Sequence, residues 1–411
     1  MHADGKPSVD APGPRRNLIP MLPEFEPRLR AFAKVIVRVG LNLQRGQRLL
    51  IAEPYELQGV ARSAEVIVNA VREAADTDVE VIWGDGPRLR EQALHNDWRG
   101  FGEVVSANVR RMNAYVRNGD ALLFLQGSQP ALLDGVAPAS VAELRRIAWE
   151  SFGPVAQQLV QGATNWTVAP APNPAWAQTA YADLPPARRL AALWEDVFTS
   201  ARVNEPSPLA AWQLHIQLLQ QQCADLNKQR LATLRYKGEG TDLTVTLPPG
   251  HVWCTARLAT KSGLPFIANL PTEEIFTAPH RDSATGHVRV SRPVIYSGVL
   301  IDGIELEFKR GEVVAASART GADLLARLLG TDEGACRLGE VAIVPEQTSL
   351  GRTGRLFHHA LLDENAHSHV ALGDAYAFCQ HPPDFRALNR SLVHVDLPFD
   401  ASVIRPGTEP A

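Results

Sequence analysis

The apolar residues of this chain change their repeat about halfway along, and that change limits the architectures open to it. In the first half, apolar runs at 49–52, 79–83, 121–125 and 166–169 alternate with helical stretches around 60–75, 101–116 and 141–160. Strand and helix in alternation predict a parallel sheet covered on both faces. Ahead of it, Phe25, Leu29, Phe32 and Ile36 recur every three or four residues, the mark of an amphipathic helix, which Gly40 ends. Beyond a further helical segment at 209–226 the period becomes two. Leu243, Val245 and Leu247 alternate with polar neighbours, as do Ile304, Leu306 and Phe308, predicting half-buried strands of an antiparallel sheet. Leu324, Leu325, Leu328 and Leu329 mark a short helix stopped by Gly330.

At 411 residues the chain exceeds one ordinary core and divides most naturally in two. The strongest punctuation is Pro170 to Pro174 and then Glu205-Pro206-Ser207-Pro208. The expected organisation is a flexible tail at 1–23, an amino-terminal α/β domain at 24–205 with a mainly parallel sheet, and a carboxy-terminal α+β domain at 206–411 with a mainly antiparallel sheet. With 41 basic against 45 acidic residues, the chain lacks the excess that nucleic-acid or anionic-membrane binding requires. The four cysteines are scattered, which argues against a disulfide framework and a thiolate zinc site and fits a reducing cytoplasm. No signal-peptide core and no membrane-length apolar run is present, and no glycine-rich nucleotide loop follows any strand.

Carboxylates and imidazoles concentrate near the carboxy terminus, in Asp363-Glu364-Asn365-Ala366-His367-Ser368-His369, then Tyr376, then His394-Val395-Asp396. Mixed oxygen and nitrogen donors are what a divalent transition metal takes. His394 and Asp396, two apart, share one face if their segment is extended. Glu364 and His369, five apart, converge only around a turn. Spacing alone is equally compatible with a solvated loop.

Five ordered motifs carry more information. They are Pro271-Thr272-Glu273-Glu274-Ile275-Phe276-Thr277-Ala278-Pro279, Thr331-Asp332-Glu333-Gly334-Ala335, Leu338-Gly339-Glu340-Val341-Ala342, Asp363-Glu364-Asn365 with His369, and Asn389-Arg390-Ser391 with His394-Val395-Asp396. Together they resemble the thermophilic aminopeptidase family, dinuclear metallopeptidases of the aminopeptidase T and aminopeptidase S type, weakly in the first half and strongly from Gly240 onward. The resemblance implies a cytoplasmic homodimer acting on peptides with a free amino terminus. It implies two divalent ions, of zinc, cobalt, manganese or magnesium, on Glu274, Glu340, His369, His394 and Asp396. It also puts Tyr376 at the metals and Glu364 beside them; on chemical grounds metal-activated water would attack the first peptide bond, with Glu364 as proton carrier or ligand and Tyr376 as oxyanion donor.

Of the neighbours Glu273 and Glu274, at most one belongs at the metal, since adjacent residues on an extended segment face opposite ways, and the match selects Glu274. His358, His359 and His367 read as exposed or hydrogen-bonded side chains, Cys254 and Cys379 as small buried residues, and the tryptophans at 166, 176, 194 and 212 as core anchors. After Asp396 the chain departs from the family, which continues with an apolar segment and a further strand. Leu397-Pro398-Phe399-Asp400 follows instead, so the strand with both candidate ligands is expected to stop early, lie at an edge or pair differently. A dipeptidase, an amidase or a metal-binding homologue without turnover are the alternatives.

Overall fold

The computed structural model describes residues 24–53, 59–129, 132–296, 299–345 and 347–404. The tail expected at 1–23 lies outside them.

Helix α1 (Phe25–Val35) runs on through a π turn at Ile36–Gly40, the glycine at which the sequence ends it. Strand β1 (Leu49–Ala52) follows, then α2 (Glu65–Ala75), β2 (Val79–Val81), α3 (Gly86–His95), α4 (Trp98–Asn118), β3 (Ala121–Gln126), α5 (Pro138–Val160) and β4 (Trp166–Pro170). All four strands are parallel, in the order β2-β1-β3-β4. Successive side chains feed opposite cores. Leu49, Ile51, Leu123 and Leu125 join the cluster around α1 and α2, while Leu50, Ala52, Leu122 and Phe124 join that beneath α4 and α5. Near-continuous apolar strands follow from such two-sided burial.

Three more helices, α6 (Pro174–Ala180), α7 (Pro186–Ser200) and α8 (Pro208–Gln229), lead to the second half. Trp176, Trp194 and Trp212 are fully buried in the first core, and Trp166 packs against it. That core also takes in Leu270, Phe357 and Leu362 from the second half.

The period-two segment forms two main antiparallel sheets where the sequence suggests one. Hairpin strands β5 (Thr233–Gly238) and β6 (Thr241–Thr246) precede the small pair β7 (Arg257–Ala259) and β8 (Pro265–Ile267), then β9 (Ile275–Thr277) and β10 (Thr285–Arg289). After the pair β11 (Val294–Tyr296) and β12 (Val299–Ile301) come β13 (Glu305–Lys309), β14 (Glu312–Ser317) and α9 (Ala322–Leu329). The chain continues with β15 (Leu338–Ile343), α10 (Ala360–Glu364), β16 (His369–Gly373), β17 (His394–Pro398) and β18 (Ser402–Ile404). One sheet runs β14-β13-β10-β6-β5-β18, the other β17-β16-β15-β9. Between them lies one core, with Leu243, Val245, Leu306 and Phe308 from the first sheet and Val341, Val370, Leu372 and Leu397 from the second.

The carboxy terminus resolves the question raised by Pro398. Among the described residues strand β17 pairs only with β16 and is the edge of its sheet, a place where a missing N–H breaks no ladder bond. A further strand does follow, β18, which crosses to the other sheet and pairs with β5.

Candidate metal centre

The four-stranded sheet has a second face, opposite the shared core. On β17, Val395 and Leu397 enter the core, so His394 and Asp396 point the other way. On β16, Val370 and Leu372 do the same and His369 shares the outer face with Ala371. Strand β15 reaches this arrangement through an irregularity. Leu338 and Glu340, two apart, would share a face on a regular strand, yet the pairing with β16 shifts register between them. Leu338 and Val341 therefore both enter the core and Glu340 turns to the outer face, a re-aiming typical of a β-bulge beside a site. Glycine is required at the bulge, because a Cβ on Gly339 would stand 2.3 Å from the Asp374 carbonyl oxygen. Gly373 has φ of 106° and passes closer still to the Val393 carbonyl, so the loop that carries Asp374 folds tightly over the strands.

Glu274 joins from the residue before β9. His369 Nε2 lies 3.5 Å from Glu274 Oε2, 3.4 Å from Glu340 Oε1 and 3.8 Å from Asp396 Oδ1. His394 Nε2 lies 3.7 Å from Glu340 Oε2 and 3.4 Å from Asp396 Oδ1. The ligand atoms fall into two groups, Glu274-Glu340-His369 and Glu340-His394-Asp396, each within 4.8 Å, and Glu340 belongs to both. All five residues proposed from the sequence for metal binding thus come together.

Main-chain oxygens orient both imidazoles. Nδ1 of His369 donates to the His367 carbonyl at 3.0 Å, and Nδ1 of His394 donates to that of Asp374 at 2.8 Å. Each ring therefore turns Nε2 toward the carboxylates, as a metal-ligating histidine is held by its second shell. The electrostatics ask for positive charge. Burial alone would lower the histidine pKa values, but hydrogen bonding and charge from Glu340 and Asp396, joined at His369 by Glu274, outweigh it and raise His369 and His394 to about 10. Burial and the Glu340 charge push Glu274 up to about 8. Burial also opposes the charged form of Asp396, yet the hydrogen bond from His394 and the charges of both histidines hold it at about 2. Three carboxylates and two imidazoles packed this closely fit a pair of divalent cations, which supply the positive charge the cluster lacks.

Glu364 ends α10, and a turn at 365–368 brings β16 and His369 back beside it. Its Oε1 accepts from the amides of Asn365 at 3.3 Å and Asn269 at 3.4 Å. Burial and the charge of Glu274 raise its pKa well above the usual carboxylate range. Tyr376 stacks on Phe378, with centroids 5.2 Å apart, and its ring lies 5.4 Å from that of His394. Burial and the neighbouring carboxylates, Glu340 foremost, keep its phenol protonated.

Several neighbours fall away from the site. The Glu273 carboxylate accepts two hydrogen bonds from Arg202, at 2.8 and 3.1 Å. His359 is buried, stacks on Trp176 with centroids 4.4 Å apart, and donates from Nε2 to the Gln126 carbonyl. His367 serves the site only through its carbonyl. Cys379 is buried, Cys254 half-buried, and all four cysteines are free thiols. Sequence reasoning missed the supports Asn269, Asn365 and Asp374. Asn365 stands inside the Asp363-Glu364-Asn365 motif, whereas nothing local marks the other two. Among the described residues, no helix is long and apolar enough to cross a membrane.

The thermophilic metalloprotease family (M29) matches this chain over residues 25–404. Aminopeptidase T of Thermus thermophilus is 39% identical over 378 residues, which cover 90% of this chain and 92% of that protein. Aminopeptidase 2 of Geobacillus stearothermophilus is 35% identical over 380 residues, covering 90% and 91%. The solved structure of wild-type AmpT from Thermus thermophilus aligns with a TM-score of 0.82 at 35% identity, covering 94% of this chain and 100% of that one.

Proposed function

Since the chain belongs to the thermophilic metalloprotease family (M29), we propose that it is a metal-dependent aminopeptidase that removes amino-terminal residues from peptides. The observation that carries the active-site reading is the position of Glu340 in two overlapping donor groups. One cation would be held by Glu274, Glu340 and His369 and a second by Glu340, His394 and Asp396, with zinc, cobalt, manganese and magnesium all compatible with a site that has no thiolate. Bound there, divalent ions supply Lewis acidity for the scissile carbonyl and water acidic enough to ionise near neutral pH.

The chain's own groups do the rest. Glu364, held through Oε1 by the amides of Asn269 and Asn365, takes up a proton and delivers it to the leaving amine. A phenol kept protonated at Tyr376 donates to the oxyanion of the tetrahedral intermediate, where charge develops. His369 and His394 stay oriented through their Nδ1 hydrogen bonds. The ring of Phe378, stacked on that of Tyr376, holds the phenol beside the cluster. We also place the protein in the cytoplasm as a homodimer, with domains at 24–205 and 206–411. Free thiols support the first, and the change from a parallel to antiparallel sheets across α8 supports the last.

The deciding experiment is a panel of amino-acid p-nitroanilides and short peptides, offered to the metal-reconstituted protein with free or acetylated amino termini. Hydrolysis of the free forms alone is expected. Hydrolysis of acetylated forms at equal rates would point to an amidase, and none with any divalent metal would refute the reading.

A further inference from the structure

The segment that delivers Glu274 to the cluster precedes its strand, so its placement depends on contacts other than a sheet ladder. Asn365 is fully buried beside it. Its Oδ1 accepts the main-chain N–H of Glu273 at 2.6 Å. Its Nδ2 donates to the Leu361 carbonyl at 2.8 Å and to Glu364 Oε1 at 3.3 Å. One side chain therefore touches the peptide that leads into Glu274, the body of α10, and the carboxylate of Glu364. From the other side, Arg202 holds the Glu273 carboxylate, and His215 Nε2 donates to the Thr272 carbonyl at 2.8 Å. The peptide groups just before Glu274 are thus satisfied by side chains, and the amide of Asn365 is the one that also reaches Glu364.

We infer that Asn365 is a positioning residue that fixes the separation between Glu274 and Glu364. This rests on the aminopeptidase reading, in which the two carboxylates have different tasks and must keep their distance while substrate turns over. An amide suits the place. It presents an acceptor to the Glu273 N–H and donors to the Glu364 carboxylate at once, and it adds no charge to a crowded acidic cluster. Loss of an outer-shell support of this kind typically costs ten- to a hundredfold in metal affinity or activity.

The test compares Asn365→Ala and Asn365→Asp with Asn165→Ala in the full chain. Asn165 is equally buried and bonded to the Leu41 carbonyl and the Gln47 side chain, next to β4. Turnover and KM on the p-nitroanilide best cleaved by the wild type are measured at saturating cobalt, together with the cobalt activation constant and the urea midpoint. Both Asn365 variants are expected to lose roughly ten- to a hundredfold in turnover, with KM for the p-nitroanilide little changed and more cobalt needed for activation. Asn165→Ala is expected to lower the urea midpoint and leave turnover intact. Wild-type turnover in the Asn365 variants, or an equal loss in Asn165→Ala, would overturn the inference. Should Asn365→Ala fail to fold, Asn365→Asp decides, since it keeps an acceptor for the Glu273 N–H and lacks the donor to Glu364. An inactive wild type would instead overturn the aminopeptidase reading, and the positioning role with it.

Discussion

Glu273 and Glu274 are adjacent and face opposite ways. The first closes a part-buried ion pair with Arg202 at 2.8 Å, and the second brings Oε2 to 3.5 Å from His369 Nε2. Two residues alike in chemistry thereby acquire separate tasks, one in holding the segment and one, in the proposed centre, in holding a cation. Removing Glu273 strips the half-buried guanidinium of its charged hydrogen-bond acceptor, so Glu273→Gln is expected to cost about 1.5 kcal/mol of stability. Glu274→Gln is expected to spare stability and lose metal. Urea denaturation and metal analysis of both variants check this, and metal loss confined to Glu273→Gln would exchange their roles.

Because Glu340 lies in both donor groups, its substitution has a distinct signature. Glu340→Gln keeps the shape and removes the charge, so it is expected to abolish activity and empty both positions. Asp396→Asn is expected to empty one only. Metal-to-protein ratios by mass spectrometry separate these outcomes, and wild-type rates with unchanged stoichiometry in Glu340→Gln would remove it from the site.

Chelation is expected to inactivate the enzyme reversibly, with cobalt, zinc, manganese and magnesium restoring it to different extents, since oxygen and nitrogen ligands without thiolate select weakly among them. Full activity in protein shown to be free of metal would be incompatible with the mechanism.

Tyr376→Phe preserves the stacking on Phe378 and removes the proposed donor. Turnover is expected to fall by roughly a hundredfold with KM nearly constant, the usual result of losing one oxyanion contact. Metal content should not change. Normal turnover would reduce Tyr376 to a packed aromatic, and joint loss of metal and activity would make its oxygen a ligand.

Burial lowers the pKa of His359 to about 4, against about 6.5 in the unfolded chain. A group whose folded pKa is depressed contributes stability that is present above the unfolded value and lost as pH falls toward the folded one. The loss attributable to His359 between pH 7 and 5 is roughly 2 kcal/mol. Asp363, which burial raises to about 7, runs the opposite way over the same range, so the total slope is not diagnostic. The comparison of wild type with His359→Gln is. Relative to the variant, the wild type is expected to weaken on acidification, and parallel stability profiles would refute the role.

The alternation of apolar runs and helices determined the parallel sheet, because strands buried on both faces must be apolar throughout and the connections between them must be helical. Period two likewise determined antiparallel strands, and the order of five motifs determined the family. Spacing also settled that His394 and Asp396 share a face, since alternation along a strand is local geometry.

What only the tertiary structure decided are relations between segments distant in sequence. The bulge at Gly339 turns Glu340 away from the core that Leu338 enters, and it depends on the close approach of Asp374, more than thirty residues later. The division of the antiparallel strands into two stacked sheets, with β18 crossing to the far one, depends on which strands pair, and no residue pattern within a strand states that. Asn269 and Asn365 gain their purpose only when Glu364 is folded against them. A sequence records donors and acceptors, but a hydrogen bond is a distance and an angle, and packing sets both.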